Sequence, residues 1–291
     1  MKKLGLIFAL AGSTALLAAC GGEEAAGDEE NGESGGTIQV GVANEEPYGY
    51  LDGDTVTGAS PEIARAVFQK MGYDDIEGQV ADFGALIPGL NSGNFDVVTA
   101  GMDIRAERCE NGNFADIEMQ YGEGIAVAAG NPHDLHSYED IADNPDIRVA
   151  VMTGANQIPM LEALGAEQEQ FVTANDIPSN LAAVESGEAD VMVATDATVN
   201  SAVQNSGSDA VEFVEDFTQP VIDGEDQTAY GAVVFNYDEE GEELKEQYNE
   251  ALQELKDSGE LLEILEEFGF TEENLPPEDI TTEDRCNVEE S

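Results

Sequence analysis

Apolar positions in this chain fall into two regimes. Short unbroken runs occur at TIQVGVA (37–43), FDVVTA (95–100), Ile125 to Ala129, IRVAVM (147–152), Asp190 to Ala194 and Ala229 to Phe235. Runs of this length, rich in Val and Ile, predict buried strands. Between them the apolar spacing changes to three and four. Ile63, Val67 and Met71 share a helical face, with Ala64 and Phe68 beside them, and Gly72 closes the segment. Ser60-Pro61-Glu62 marks its start: an N-cap serine, a proline at the first helical position and an acid at the positive end of the dipole. Further helices are predicted at Ala85 to Leu90, after Gly154, and at Ser179 to Ser186 running into Gly187. A long amphipathic helix carries Leu244, Tyr248, Ala251 and Leu255 on one face, and a shorter one spans Leu261 to Phe268.

Strands alternating with helices indicate an α/β architecture. One set covers roughly 37–124 and a second 130–226, with no internal repeat. The last helices have no sheet of their own, so the chain must return to the first lobe. That predicts two crossovers, through Ile125–Ala129 and Ala229–Val233, dividing the chain into one lobe of 37–126 with 231–288 and another of 127–230. Two lobes on two crossovers make a hinge that closes around a ligand. Residues 1–19 read as a targeting segment, with Lys2 and Lys3 ahead of the apolar run Leu4 to Leu17. The run is too short for a comfortable membrane span. Leu17-Ala18-Ala19-Cys20 resembles a lipobox, with Cys20 as the lipidated N-terminus of the mature chain. Residues 20–36, which after Cys20 hold only Gly, Ala, Ser, Asn and acids, form a flexible tether.

Charge narrows the partners. Ten Lys and Arg stand against 63 Asp and Glu, a net of −53. Phosphate would be repelled, so nucleic acid is excluded. Because the apolar residues still form clear strand and helix patterns, the acid reads as a solvated surface adapted to high salt, where at ~1 M the screening length is only ~3 Å. Cys109 and Cys286, outside the membrane, are expected to pair, the alternative being two free buried thiols.

Seven segments carry a family resemblance: ANEEPYGY (43–50), GASPEIARAVFQKMG (58–72), DFGALIPGLNSGNFDVVTAGM (82–102), DIRAERCE (103–110), AGNPHDLHSYED (129–140), VAVMTGA (149–155) and SGEADVMVATD (186–196). In this order they resemble the polar amino-acid family of solute-binding proteins of ABC importers, most nearly its ectoine and hydroxyectoine binders. The resemblance implies a two-lobed periplasmic-binding-protein fold of type II, no cofactor, and a monomer held at the membrane by its lipid. It also implies delivery of a small zwitterion to a permease and ATPase. By the same resemblance Arg108 grips the ligand carboxylate, a task suited to a bidentate guanidinium. Glu45 and Tyr48 face its cation, the aromatic face adding cation–π attraction. Phe83 forms a second aromatic wall.

Two positions depart from the ectoine-type pattern. Its third aromatic wall falls at Asp103, which either pairs internally with Arg108 or addresses a hydroxyl or cationic part of the ligand. The far-lobe acid that amino-acid binders use for the α-ammonium falls at Thr195, with Asp196 one residue later, which favours a ligand without a primary amine. Gly154, Ala155 and Asn156 open a helix whose free N–H groups are placed to receive a carboxylate. His133 and His136 lie in a polar loop and are not expected to hold a metal. No nucleophile with an adjacent base is visible, so an enzyme is not expected. The rival is a dehydratase on the same lobes using Glu45 and Asp103 as acid and base; a binder of a polar amino acid or betaine, or a sensor without a transporter, are further alternatives.

Overall fold

The computed structural model describes residues 35–287. The targeting segment, Cys20 and nearly all of the tether therefore lie outside the described residues. Two sheets organise the rest. The first runs in the order Ile76–Val80, Ile38–Val42, Val97–Asp103, Ala229–Phe235, Asn113–Phe114, with Met119–Tyr121 also pairing to Ala229–Phe235. The second runs Phe171–Ala174, Val149–Met152, Val191–Thr195, Glu123–Ala128, Val211–Phe213. In each, the βα strands pair in parallel, and a strand arriving from the crossover enters antiparallel: Ala229–Phe235 beside Val97–Asp103, and Glu123–Ala128 beside Val191–Thr195.

The passage between sheets lies earlier than the apolar runs indicated. Met119–Tyr121 belongs to the first sheet and Glu123–Ala128 to the second, so the chain changes lobe at Gly122. Ile125, Ala126 and Val127 are second-lobe core, and Ala229–Phe235 lies wholly within the first sheet. The expected crossovers were apolar because they are central strands paired on both sides.

The first lobe packs the helix Ala59–Lys70 and the long helix Glu239–Ser258 on one sheet face. Ile63, Ala64, Val67 and Phe68 from one meet Tyr248, Leu252 and Leu255 from the other. Ser60 does not cap its helix. Gly58 holds the cap position, while the fully buried Ser60 hydroxyl donates to Glu118 Oε2 at 3.2 Å. Tyr248 donates to the other carboxylate oxygen at 2.5 Å. A buried acid requires donors more urgently than a helix start requires a cap. Cys109 and Cys286 are joined by a disulfide, Cα to Cα 5.6 Å, which ties the C-terminal turn Thr282–Cys286 to the short helix Ala106–Cys109.

Candidate functional site

The C-terminal end of the Val97–Asp103 strand faces the second lobe, the place where α/β crevices take ligands. Gly101 sits within that strand at φ +57°, and a Cβ there would come 2.5 Å from the Tyr48 ring. The missing side chain lets Tyr48 lie flat against the strand, in contact with Tyr121 (ring centroids 4.9 Å apart) and Phe270 (5.4 Å). Tyr121 in turn donates to Gly101 O at 2.6 Å.

Glu45, Tyr48, Phe83, Asp103, Arg108, Asn156 and Thr195 all line one cavity between the lobes. Its volume is about 40 Å³. Asp196 does not line it; as the first residue of the helix Asp196–Ser206 it accepts from Ala197 N at 2.6 Å. Thr195 is that helix's N-cap, accepting from Thr198 N at 3.3 Å.

Of the five arginines only Arg108 lines this cavity. Arg65, Arg105 and Arg148 each pair with carboxylates, and Arg285 stacks over Tyr230. Arg108 donates only to backbone, to Asp103 O at 2.9 Å and Gly154 O at 3.2 Å, with its guanidinium 5.3 Å from the Phe83 ring centroid. Among the described residues no carboxylate forms an ion pair with it. Burial lowers its pKa from the ordinary arginine value and the charge of Asp103 opposes the shift. A half-buried cation at the wall of a cavity, without an anion of its own, can receive one.

Asp103 has a different role from the one its position implied. Its Oδ1 accepts from Tyr230 N at 2.9 Å, and its Oδ2 from Arg105 Nε at 2.9 Å and Asn156 Nδ2 at 2.5 Å. The carboxylate pairs internally, with Arg105 rather than Arg108, and Asn156 joins it from the other lobe. Asn156 is thus a bridge, and the Ala155 N–H is already used on Met152 O at 3.1 Å. Other bonds cross the cleft: Thr198 to Glu45 at 2.8 Å, Asn205 to Glu46 at 2.5 Å and Asn175 to Asp82 at 3.0 Å.

Sequence reasoning missed Glu123, Gln157 and Tyr121, which also line the cavity. Glu123 is one acid among 63 and precedes its apolar run, so nothing in the pattern singles it out. Gln157 was within reach, directly after Asn156 at a helix start. His133 lies 3.6 Å from Asp190, and His136 2.9 Å from Asp216; among the described residues no metal-binding cluster forms.

Residues 38–272 match the bacterial extracellular solute-binding proteins, family 3. This chain belongs to that family. A probable amino-acid ABC transporter periplasmic-binding protein, y4tE of Sinorhizobium fredii (strain NBRC 101917 / NGR234), is 38% identical over 256 residues, 87% of this chain and 83% of that protein. The arginine-binding extracellular protein ArtP of Bacillus subtilis (strain 168) is 30% identical over 94% of this chain and all of its own length. Among solved structures, EhuB in complex with hydroxyectoine superposes with a TM-score of 0.77 at 29% identity, covering 87% of this chain and 95% of that one. The two sheets are therefore the lobes of a type II periplasmic-binding-protein fold. The family is extracellular, binds small solutes and works with the permease and ATPase subunits of ABC importers, and this member is a binding protein rather than an enzyme.

Proposed function

We propose that this chain captures a compact cyclic zwitterion, ectoine or hydroxyectoine, between its lobes and releases it to an importer. The observation that carries the reading is Arg108, which lines the cleft without a carboxylate of its own. The solute carboxylate goes to this guanidinium. Its delocalised cation goes toward Glu45, between the flat faces of Tyr48 and Phe83. Thr195 offers no charge to a primary ammonium, and burying one unanswered costs several kcal/mol. The likeness to hydroxyectoine-bound EhuB supports the same ligand class. Removal of residues 1–19, lipidation at Cys20, the tether through residue 36 and a monomeric state at the outer face of the membrane belong to the proposal, as does a high-salt habitat.

A second reading, arginine, is favoured by the extra acid at Glu123, which with Glu45 suits a guanidinium. Calorimetric titration in molar salt with ectoine, hydroxyectoine, arginine and glutamine decides between them. Either ectoine should bind more tightly than both amino acids; the reverse order rejects the assignment. Arg108→Ala should weaken every carboxylate solute by about tenfold or more, since a charge-assisted bidentate contact is lost.

A further inference from the structure

The asymmetry of Glu123 points to a further ligand contact. This side chain is 1% exposed and lines the cleft cavity. Two donors converge on one of its oxygens: Tyr138 OH at 2.8 Å and Gln157 Nε2 at 2.7 Å, both to Oε2. Among the described residues its Oε1 is buried with no partner at all. The residue is not loosely placed. Gln219 clamps its backbone from both sides, accepting from Glu123 N at 2.8 Å and donating to Glu123 O at 2.9 Å. A buried carboxylate oxygen left without a donor is unfavourable, because it has lost its water and gained nothing in return. A clamped acid that keeps such an oxygen at the wall of a binding cavity is preorganised for a donor that arrives with the solute.

We propose that Glu123 contacts the ligand directly, its free Oε1 accepting an N–H or O–H of the solute, so that the solutes this chain selects carry a hydrogen-bond donor in addition to the carboxylate held by Arg108. The inference rests on reading the cleft as the solute site. It also moves the task of meeting a ligand donor from Asp103, whose oxygens are taken by Tyr230, Arg105 and Asn156, to the acid that has one free. A permanently methylated cation such as glycine betaine has a carboxylate and a positive charge but no donor hydrogen. It leaves Oε1 unpaired in the closed cleft, and a site built to hydrogen-bond a group rejects analogues that lack it.

The test is titration of the full-length protein in molar salt at pH 8, where Glu123 is ionised, with ectoine, hydroxyectoine, arginine and glycine betaine. The tightest donor-bearing solute should bind at least about tenfold better than glycine betaine. Glu123→Gln keeps an acceptor for Tyr138 and Gln157 but puts an NH₂ where Oε1 was. It should cost the tightest solute about tenfold or more and change betaine by less than about threefold. Glu123→Asp, which withdraws the carboxylate by one methylene, serves if the Gln variant does not fold and should show the same pattern. Unchanged affinity in these variants overturns the proposal. So does an equal loss for all four solutes, which marks a merely structural role. If arginine outbinds both ectoines and Glu123→Gln still weakens it, the ectoine reading falls and the Glu123 contact stands. Failure of the wild type to bind any of the four overturns both.

Discussion

Three buried acids set the behaviour of this protein at the scale of single residues. Burial pushes Glu45, Glu118 and Glu123 up from 4.5 to about 7, with hydrogen bonds from Thr198, from Tyr248 and Ser60, and from Gln157 and Tyr138 acting in the opposite direction. Each holds its proton more tightly folded than unfolded. Their stabilisation is therefore complete below about pH 4.5 and is lost as pH rises through about 7, by roughly 3 kcal/mol per group as an upper figure. In molar salt, where surface repulsion is screened, the melting temperature should fall between pH 5 and pH 8. Glu118→Gln should flatten that fall, because it removes one titrating group away from the cleft; a slope identical to wild type would exclude Glu118 as a source. These residues also mark what the sequence reveals. Arg108 was singled out through the resemblance carried by DIRAERCE (103–110), and the structure puts it at the cavity wall. Glu118 and Glu123 were not singled out, because burial, which separates them from the other acids, is a property of the fold.

At the scale of elements, alternation and periodicity located most strands and helices. The Ala229–Phe235 strand has the span its apolar run predicts, and Leu244, Tyr248, Ala251 and Leu255 all lie on the inner face of their helix. The readings failed where the pattern is weak. Ile76–Val80 is a sheet-edge strand of largely polar composition, IEGQV, and was missed. The helix Asp196–Ser206 has too few apolar residues to show a period. The lobes approach closely where Gly154 faces Gly84, which lies in the 3-10 turn Phe83–Ala85. Gly154 lies at φ +81°, and a Cβ there would come 2.9 Å from Gly84 Cα on the opposite lobe. Gly154→Ala should therefore hold the lobes apart, since both the backbone angle and the contact oppose it. Solute affinity should drop by about tenfold or more, matching the 1–3 kcal/mol typical of local backbone strain. Small-angle scattering with saturating solute should show a larger radius of gyration than wild type, and identical scattering and affinity would reject this account of closure.

The whole molecule carries a net charge of −53, which no set of internal pairs offsets. Its repulsion weakens only when the screening length falls below the spacing of the charges. The melting temperature should climb steadily from about 0.1 M to about 2 M potassium chloride, as the screening length shrinks from ~10 Å toward ~3 Å or less. A flat series would show that the acid excess is uncoupled from folding. The disulfide acts at the same scale, spanning 177 residues of sequence, worth about 5 kcal/mol in a chain-entropy account. One of its ends, Cys109, is the immediate neighbour of Arg108. The segment proposed to hold the solute carboxylate is thus fastened by a bond that forms only under oxidising conditions. A chain still in the reducing cytoplasm lacks that fastening and would make a poor trap for the cell's own internal pool of solute. On this reading the grip would tighten only after the bond forms outside the reducing compartment. Cys286→Ser should accordingly bind solute several-fold more weakly than the oxidised protein, and equal affinity would separate the fastening from the grip.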